Sequence, residues 1–268
     1  MLRLQRGRSM DKARYLGRVD GHALVLGGSG GLGSEVVRAL VAAGASALTF
    51  TYGCNKAAAD KLVDEVKAAG VKAHTAPIDQ SNENAFKQLL DDAASVQGQE
   101  ISVAVNTIGI SPNIPIEEQT LDGKDGWRNV FEVNVNGCFL STRALAERMK
   151  AKGVRGSIVL ITSTNGINSQ SQISTHYDSS KAAQAHMMKT FAEHYAPAGI
   201  RINAVAPGWI ETSMNDTLPE EERAREINKI WAKRFAAPYE IAAFVAFVAG
   251  SGGSYAYGQN FMVDGGYR

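Results

Sequence analysis

Short apolar runs alternate with longer amphipathic stretches along most of the chain. The apolar runs end at glycine or polar residues, as buried parallel strands do, and they cover residues 23–26, 47–52, 71–78, 101–106, 157–162, 200–206 and 260–263. Apolar positions at helical spacing lie between them, at residues 34–43, 56–69, 83–96, 127–151, 176–195 and 239–249. Strands that alternate with helices of this length predict βαβ units. The predicted fold class is therefore α/β: a single doubly wound, Rossmann-like domain with a parallel sheet.

One segment, residues 211–236, interrupts this alternation. Pro219 and three glutamates precede an apolar group that includes Trp231, a pattern that predicts an amphipathic helix with acids in its first turn. Enzymes with α/β folds bind substrates beyond the carboxyl ends of their strands. We therefore expect a small helical substrate lid here, within one domain spanning residues 19–268.

Composition excludes several classes of protein. The 268 residues are 44% apolar and 21% charged, as in soluble globular proteins with one large core. The net charge of +1 gives no reason to expect a nucleic-acid partner. The longest apolar stretch, residues 241–249, is much shorter than the roughly 18 residues of a membrane span, so no membrane partner is expected. Cys54 and Cys138 lack metal-site spacing and are too few for a disulfide framework, which predicts reduced cysteines, no metal and a cytoplasmic protein.

The first 18 residues differ from the rest of the chain. They contain six basic residues and one acid, Asp11. An arginine-rich, acid-poor start is typical of an organelle presequence or of a tag for anionic surfaces. The alternative interpretation is a disordered basic extension, or translation that starts at Met10. We expect residues 1–18 to lie outside the domain.

A glycine-rich loop separates the first predicted strand from the first predicted helix. Glycines there permit a tight turn, and they let backbone N–H groups and the helix N-terminus approach a pyrophosphate. The loop therefore predicts a dinucleotide site, whose contacts would be Gly27, Ser29, Gly31, Leu32 and Gly33.

The end of the second strand indicates which dinucleotide is favoured. Folds that bind NAD place an acid there for the ribose hydroxyls, but residues 49–56 contain no carboxylate. Asn55 and Lys56 could instead pair with a 2′-phosphate, so NADP(H) is favoured over NAD(H). Asp79 follows the third strand and could accept a hydrogen bond from the adenine amino group. Alternatively, Asp79 caps the helix that begins at Glu83.

Tyr177 and Lys181 are four residues apart, which places them on one face of a helix. A phenol has an unperturbed pKa of about 10, and a nearby cation lowers that pKa by favouring the phenolate. Ser163, fourteen residues before Tyr177, could hold a substrate carbonyl against the phenol. The spacing alone arises by chance on many amphipathic helices. The interpretation of Tyr177 and Lys181 as a catalytic pair is favoured because a dinucleotide site is predicted in the same chain.

Six motifs in order resemble the short-chain dehydrogenases/reductases, over about residues 20–268. They are the glycine loop, residues 106–109, Asn134, the set Ser163, Tyr177 and Lys181, residues 203–208 with Ile210 and Thr212, and residues 263–266. The resemblance implies reversible hydride transfer between a nicotinamide and a carbonyl or secondary alcohol.

The same resemblance implies a role for each matched residue. Ser163 would hydrogen-bond the carbonyl, Tyr177 would protonate it during reduction, and Lys181 would bind the ribose hydroxyls and lower the Tyr177 pKa. Asn134 would hold a water that relays protons to solvent. The alternatives are a strand-end cap for Ser163 and a simple helix interruption for Asn134. The remaining implied cofactor contacts are Asn106, Gly109, Pro207, Gly208, Ile210 and Thr212.

Three positions depart from the family pattern. Leu26 replaces the usual threonine before the glycine loop, and Thr107 replaces the second asparagine of the next motif. Both positions brace the loop in the family, so we expect a repacked loop that still binds the cofactor. Gly30 replaces a basic residue found in many NADPH-preferring relatives, which tempers the preference for NADP(H).

The leading interpretation is an NADP(H)-dependent reductase of a ketone or 3-oxoacyl-type carbonyl, similar to the 3-oxoacyl-[acyl-carrier-protein] reductases. One alternative is an NAD(P)-dependent dehydrogenase of a sugar, polyol or other secondary alcohol. A second, from another class, is a non-catalytic NADP-binding regulatory protein.

The sequence bears on two kinds of protein partner, an acyl carrier protein and further copies of this chain. Lys150, Lys152 and Arg155 could dock an acidic acyl carrier protein, but Glu193 stands where another basic residue is expected. That partner is therefore not favoured. The family resemblance also implies a homotetramer that assembles through the helices at residues 127–151 and 176–195.

Overall fold

The computed structural model describes residues 17–215 and 218–268, and these form an α/β domain. Within them, seven strands make one parallel sheet with the order β3-β2-β1-β4-β5-β6-β7. The strands are β1 His22–Leu26, β2 Ala47–Tyr52, β3 Lys72–Pro77, β4 Ile101–Asn106, β5 Ser157–Ile161, β6 Arg201–Pro207 and β7 Asn260–Val263. Each predicted strand is confirmed to within one residue at either end. The order changes direction between β1 and β4, where open α/β sheets bind ligands.

Helices connect the strands and cover both faces of the sheet. They are α1 Gly31–Ala42, α2 Lys56–Ala68, α3 Glu83–Gln97, α4 Trp127–Phe131, α5 Gly137–Ala151, α6 Thr175–Tyr195, α7 Glu220–Lys229 and α8 Pro238–Ala249. The predicted doubly wound fold is confirmed.

Successive strand residues supply two separate apolar layers, because their side chains point to opposite faces of the sheet. Val25 packs with α1 and α8 on one face, whereas Leu24 and Leu26 pack with α3, α5 and α6 on the other. All three are fully buried. Burial of each such side chain contributes about 1.5–3 kcal/mol, so the strand ends are held rigidly against both layers.

The predicted helix over residues 127–151 is not continuous. A π-helical segment, Glu132–Asn136, lies between α4 and α5. Two buried glutamines donate to successive carbonyls of this segment: Gln80 Nε2 to Val133 at 2.9 Å and Gln184 Nε2 to Asn134 at 2.5 Å. Single-turn π insertions are rare and often lie at functional sites. Apolar periodicity could not show this one, because its stabilising partners come from distant parts of the chain.

The predicted lid segment, residues 211–236, lies beyond the end of β6. It contains a short 3₁₀ turn at Ser213–Asn215 and the helix α7, and it ends where Ala236 forms a bridge with Ile210. The expected acids are present in the first turn of α7.

The predicted basic extension, residues 1–18, lies outside the described residues except for its last two. Of these, Arg18 donates its backbone N–H to Ser251 Oγ at 2.8 Å. Within the described part of the chain, every helix is too short or too polar to cross a membrane.

Candidate active site

A cavity of about 510 Å³ opens at the carboxyl edge of the sheet, the edge at which the parallel strands end. Its wall brings together most of the predicted site residues, although they come from distant parts of the sequence. Those that line it are Gly27, Ser29, Gly31, Leu32, Gly33, Gly109, Ser163, Tyr177, Lys181, Pro207, Gly208, Ile210 and Thr212.

The glycine loop leaves no room for side chains at two of its positions. A Cβ on Gly33 would lie 2.1 Å from the Gly27 carbonyl oxygen, and one on Gly28 would lie 2.5 Å from the Phe50 Cβ. Gly27 also has a φ of +75°, which disfavours residues with a Cβ. The loop is therefore folded tightly against the sheet, and its backbone faces the cavity.

The N-terminus of α1 receives no side-chain cap from Gly30, and its first turn contains no acid. The first N–H groups of a helix lack partners within the helix and carry partial positive charge. Because the neighbouring loop lines the cavity, this terminus fits the pyrophosphate of a dinucleotide.

Two threonines brace the loop. Thr51 Oγ1 on β2 accepts from the Gly27 N–H at 2.9 Å, and Thr107 Oγ1 donates to the Leu26 carbonyl at 2.7 Å. These hydrogen bonds tie the loop to β2 and to the segment that follows β4, and the repacking expected from Leu26 and Thr107 stays a prediction. Thr51 was not predicted as a site residue, although a threonine within an apolar strand is a sequence signal for such a role. The structure buries it fully.

Lys181 lies one turn after Tyr177 on α6, and its Nζ is 5.5 Å from the centre of the phenol ring. The side chain is only 3% exposed. Its Nζ donates to the Ile161 carbonyl at 2.9 Å and to Gln184 Oε1 at 3.0 Å. An ammonium has three N–H donors, so one remains to bind a ligand in the cavity.

Burial acts on both members of this pair. It lowers the Lys181 pKa to about 8 and raises the Tyr177 pKa to about 12, while the Ser163 hydroxyl works against the rise at Tyr177. The Tyr177 pKa is thus raised in this structure and not lowered as predicted, because loss of contact with water disfavours the phenolate. At neutral pH, Tyr177 is a neutral acid beside a charged ammonium.

Ser163 follows β5, and its Oγ accepts from the Asn165 N–H at 3.1 Å. Asp178 holds the loop that contains it: its carboxylate accepts from Asn165 Nδ2 at 2.8 Å and from the Ser171 N–H at 2.7 Å. The neighbour of Tyr177 on α6 therefore positions the loop of Ser163. Asp178 could not be identified from the sequence, because its partners approach it only when the loop packs on the helix.

Asn106 and Asn134 lie behind the cavity wall rather than in it. Asn106 Nδ2 donates to Gln80 Oε1 at 2.9 Å, and its Oδ1 accepts from the Ile108 N–H at 3.0 Å. Asn134 is fully buried and exchanges two hydrogen bonds with the Ile110 backbone, at 2.9 and 3.0 Å. Both side chains shape the segment that carries Gly109.

The three residues predicted near the adenosine ribose and base also lie outside the cavity wall. Asn55 Oδ1 caps α2 by accepting from the Ala58 N–H at 3.0 Å, and Lys56 Nζ pairs with Asp60 at 2.7 Å. Asp79 accepts from the N–H and hydroxyl of Ser81, at 2.9 and 2.7 Å. The cap of α3 is Asn82, so the alternative role of Asp79 as the cap of that helix is wrong.

Lys150, Lys152 and Arg155 lie far from the cavity mouth. Lys150 lies in the last turn of α5, and Lys152 and Arg155 lie between that helix and β5, which places them at the amino edge of the sheet. Arg155 contacts Gly199, which precedes β6 at the same edge. They cannot flank the cavity, so they provide no docking surface beside it for an acyl carrier protein.

No group of three His, Cys, Asp or Glu side chains in residues 17–215 and 218–268 is arranged to hold a metal ion. The side chains that face the cavity around Tyr177 offer hydroxyl groups and the Lys181 ammonium.

Comparison with known proteins agrees with this geometry. A family described as enoyl-(acyl carrier protein) reductase matches residues 27–268. The chain is 33% identical to glucose 1-dehydrogenase 2 of Bacillus subtilis over 91% of this chain and 93% of that protein. It is 34% identical to the 3-alpha-(or 20-beta)-hydroxysteroid dehydrogenase of Mycobacterium tuberculosis over 94% and 90%. It is 32% identical to a 3-oxoacyl-[acyl-carrier-protein] reductase of Thermotoga maritima over 91% and 96%.

Solved structures extend the agreement to the whole fold. A dehydrogenase/reductase from Sinorhizobium meliloti superposes with a TM-score of 0.85 at 28% identity, covering 95% of this chain and 97% of that one. A short-chain dehydrogenase/reductase from Serratia marcescens gives 0.83 at 31% identity, covering 92% and 97%. The chain therefore belongs to the short-chain dehydrogenases/reductases, NAD(P)-dependent oxidoreductases that interconvert CH–OH and C=O groups.

Proposed function

We propose that this protein is an NADP(H)-dependent carbonyl reductase that converts a ketone or 3-oxoacyl-type carbonyl into a secondary alcohol. The observation that carries the proposal is the cavity itself. The uncapped N-terminus of α1 and the pair Tyr177 and Lys181 face the same space, with Ser163 beside the phenol. A dinucleotide and a carbonyl can therefore meet there.

The bound nucleotide would supply the hydride, and the protein's own groups would handle the oxygen and its proton. The Ser163 and Tyr177 hydroxyls would hold the carbonyl oxygen, so that negative charge develops beside two donors. Tyr177 would then transfer its proton to that oxygen as general acid. The Lys181 ammonium would stabilise the resulting phenolate, since it lies against the ring.

Several residues would hold the nucleotide. The loop at residues 27–33 and the first turn of α1 would bind the pyrophosphate, and the third Lys181 N–H would reach a ribose hydroxyl. The segment from Pro207 to Thr212 would lie along the nicotinamide. Thr212 already approaches the loop closely, because a Cβ on Gly31 would be 3.2 Å from it.

The preference for NADP(H) is supported by the surface beyond β2. Residues 49–56 contain no carboxylate that would repel a 2′-phosphate. Asn55 turns its oxygen toward α2, which leaves its NH₂ group as a donor. Lys56 is paired with Asp60, but both are exposed. An exposed ion pair contributes little because water screens it, so a phosphate can compete for this lysine.

One observation favours a second candidate, a dehydrogenase of sugars or polyols. Hydroxyl and amide side chains are numerous in the part of the cavity wall near Ser163; they include Ser111, Asn113, Asn165, Ser169 and Ser171. Such a wall suits a hydroxylated substrate. Trp209 and Ile173 line the same cavity and suit an apolar one. The intact set of Ser163, Tyr177 and Lys181 argues against a purely regulatory protein.

The first experiment is a screen of NADPH oxidation with 3-oxoacyl thioesters, diketones and sugar ketones, repeated with NADH. We expect NADPH oxidation with at least one ketone. Tyr177→Phe should lower turnover roughly 10²–10⁴-fold, the usual contribution of a general acid. Calorimetric titration should show that this variant still binds NADPH. Unchanged turnover in Tyr177→Phe would reject the mechanism.

A further inference from the structure

Gln184 lies one turn beyond Lys181 on α6 and is 2% exposed. Its Oε1 accepts from the Lys181 Nζ at 3.0 Å, and its Nε2 donates to the backbone carbonyl of Asn134 at 2.5 Å. The carboxamide therefore bridges the ammonium of the predicted catalytic pair and the π-helical segment that carries Asn134.

The orientation of this amide follows from its neighbours. An ammonium can only donate hydrogen bonds, and a peptide carbonyl can only accept them. The oxygen of Gln184 must therefore face Lys181, and its NH₂ group must face Asn134. The reverse orientation would place a donor against a donor and an acceptor against an acceptor.

This bridge changes the expected role of Asn134. The family resemblance implies a water at Asn134 that relays protons between the site and solvent. In this chain the carboxamide of Gln184 donates a hydrogen bond to the backbone carbonyl of Asn134. Water relays a proton because each molecule accepts one and releases another. An amide would have to pass through its imidic acid form, which is far less stable.

We propose that Gln184 is a positioning residue: its carboxamide takes the place of a relay water, holds the Lys181 ammonium toward Tyr177, and closes the site behind Lys181 to proton transfer. This inference rests on the proposed function, since it concerns the same acid–base pair. During reduction the Tyr177 O–H bond breaks and the product O–H bond forms. The phenolate then takes up one proton from solvent water at the cavity mouth.

The groups around Lys181 support a fixed ammonium. On its own helix, Tyr177 and Gln184 face it; from the end of β5, the Ile161 carbonyl accepts from it; and from α5, the Cys138 thiol lies nearby. Burial raises the Cys138 pKa to about 11, so this thiol is neutral at working pH. Gly109 also lies close to the ammonium, because a Cβ there would be 3.2 Å from Nζ.

The decisive comparison is between Gln184→Leu and Gln184→Ala. Leucine fills the space without polar atoms and leaves Lys181 without one acceptor. Loss of this acceptor lowers the Lys181 pKa, so less of Lys181 is charged near neutral pH and the Tyr177 phenolate is stabilised less. We expect Gln184→Leu to shift the acidic limb of the pH–rate profile for alcohol oxidation upward by about one pH unit. We also expect it to weaken NADPH binding about tenfold.

Alanine opens a space that water can enter, since the site already offers a donor at Lys181 and an acceptor at Asn134. We expect Gln184→Ala to keep a pH profile and an NADPH dissociation constant near those of the wild type. Its crystal structure should show water between Nζ and the Asn134 carbonyl. If Gln184 only filled space, Gln184→Ala would be impaired more than Gln184→Leu, because the smaller side chain would leave the larger cavity.

Gln80 provides the matched control. It also is buried and donates to a carbonyl of the π-helical segment, that of Val133, but its hydrogen bonds do not include Lys181. Gln80→Leu should lower the melting temperature and leave the acidic limb where the wild type has it.

Two results would overturn the proposal. One is a pH–rate profile of Gln184→Leu with the same acidic limb as the wild type. The other is a Gln184→Ala crystal structure without water between Lys181 Nζ and the Asn134 carbonyl. The proposed function fails differently, through the absence of turnover in the wild-type protein. In that case the dissociation constants and the Gln184→Ala structure would still decide the role of Gln184.

Discussion

At the scale of single residues, the glycine loop shows how strongly space limits the sequence. A Cβ on Gly33 would lie 2.1 Å from the Gly27 carbonyl oxygen, and backbone atoms are its nearest neighbours, so no side chain can move aside. At Gly30 the nearest atom would be 3.3 Å away, and φ is −77°. Alanine therefore needs only a small shift of its neighbour at Gly30, whereas at Gly33 it cannot be accommodated without moving the backbone.

We predict that Gly33→Ala abolishes NADPH binding, because the loop must open away from β1 to admit the methyl group. Titration followed by tryptophan fluorescence would measure this. Gly30→Ala is the matched control and should bind NADPH with an affinity near that of the wild type. Equal affinity in the two variants would contradict the assignment of this loop to the pyrophosphate.

Residue types explain which parts of the site were predictable. Tyr177, Lys181 and Ser163 carry distinctive chemistry, and their spacing is local, so they could be identified from the sequence. Asn106 and Asn134 were predicted for the site, but the structure places them behind the wall, where they hold the backbone. An asparagine side chain serves either role equally well, and only its surroundings decide between them.

At the scale of elements, the end of the predicted lid is tied to the start of α8. Glu240 accepts from the Ala237 N–H at 2.8 Å, and its two oxygens accept from Arg234 at 2.6 and 2.8 Å. These interactions, first of all the hydrogen bonds from Arg234, lower the Glu240 pKa to about 2. The charged carboxylate is therefore the form that stabilises the folded protein.

We predict that Glu240→Gln lowers the melting temperature at pH 7. A carboxylate whose pKa is lower in the folded state stabilises it above the unfolded pKa of about 4.3. That stabilisation is lost as the pH falls toward 2, so the gap between wild type and variant should close between about pH 4 and pH 2. Thermal unfolding across this range is the measurement. Glu193→Gln, on the exposed side of α6, is the control, and a gap that stays constant with pH would refute the prediction.

Element boundaries were predictable where one periodicity continued without interruption. The strands at residues 47–52, 101–106 and 260–263 appear with the predicted limits. The stretch at 127–151 does not, because a π-helical insertion leaves the apolar spacing of its flanks almost unchanged. The glutamines that stabilise it come from positions 53 and 50 residues away in the chain.

At the scale of the whole molecule, a ligand that binds only the folded state must stabilise the entire domain. At 100 times its dissociation constant the gain is about 2.7 kcal/mol, which corresponds to a rise of roughly 5–10 °C in melting temperature for a domain of this size. We predict that NADPH gives the larger rise when it is compared with NADH at equal concentration. An equal or larger rise with NADH would contradict the proposed 2′-phosphate contacts.

The homotetramer that the family resemblance implies stays a prediction. Phe139 on α5 is 39% exposed and contacts Phe191 on α6, with ring centres 5.6 Å apart. One exposed aromatic side chain therefore lies on α5, packed against a buried one on α6, and these are the two helices expected to form the interface. Light scattering of the purified protein would measure the number of copies.

The sequence by itself determined the order of strands and helices along the chain, because that order follows from periodicity. It also predicted the dinucleotide loop and the acid–base pair, from local spacing and from the family resemblance. Tertiary structure decided what surrounds them. Burial in the packed domain places the Tyr177 and Lys181 pKa values far from those of free side chains, and packing of α6 against the π-helical segment brings Gln184 to the Asn134 carbonyl. Such effects depend on distances between residues far apart in sequence, and those distances exist only once the chain has folded.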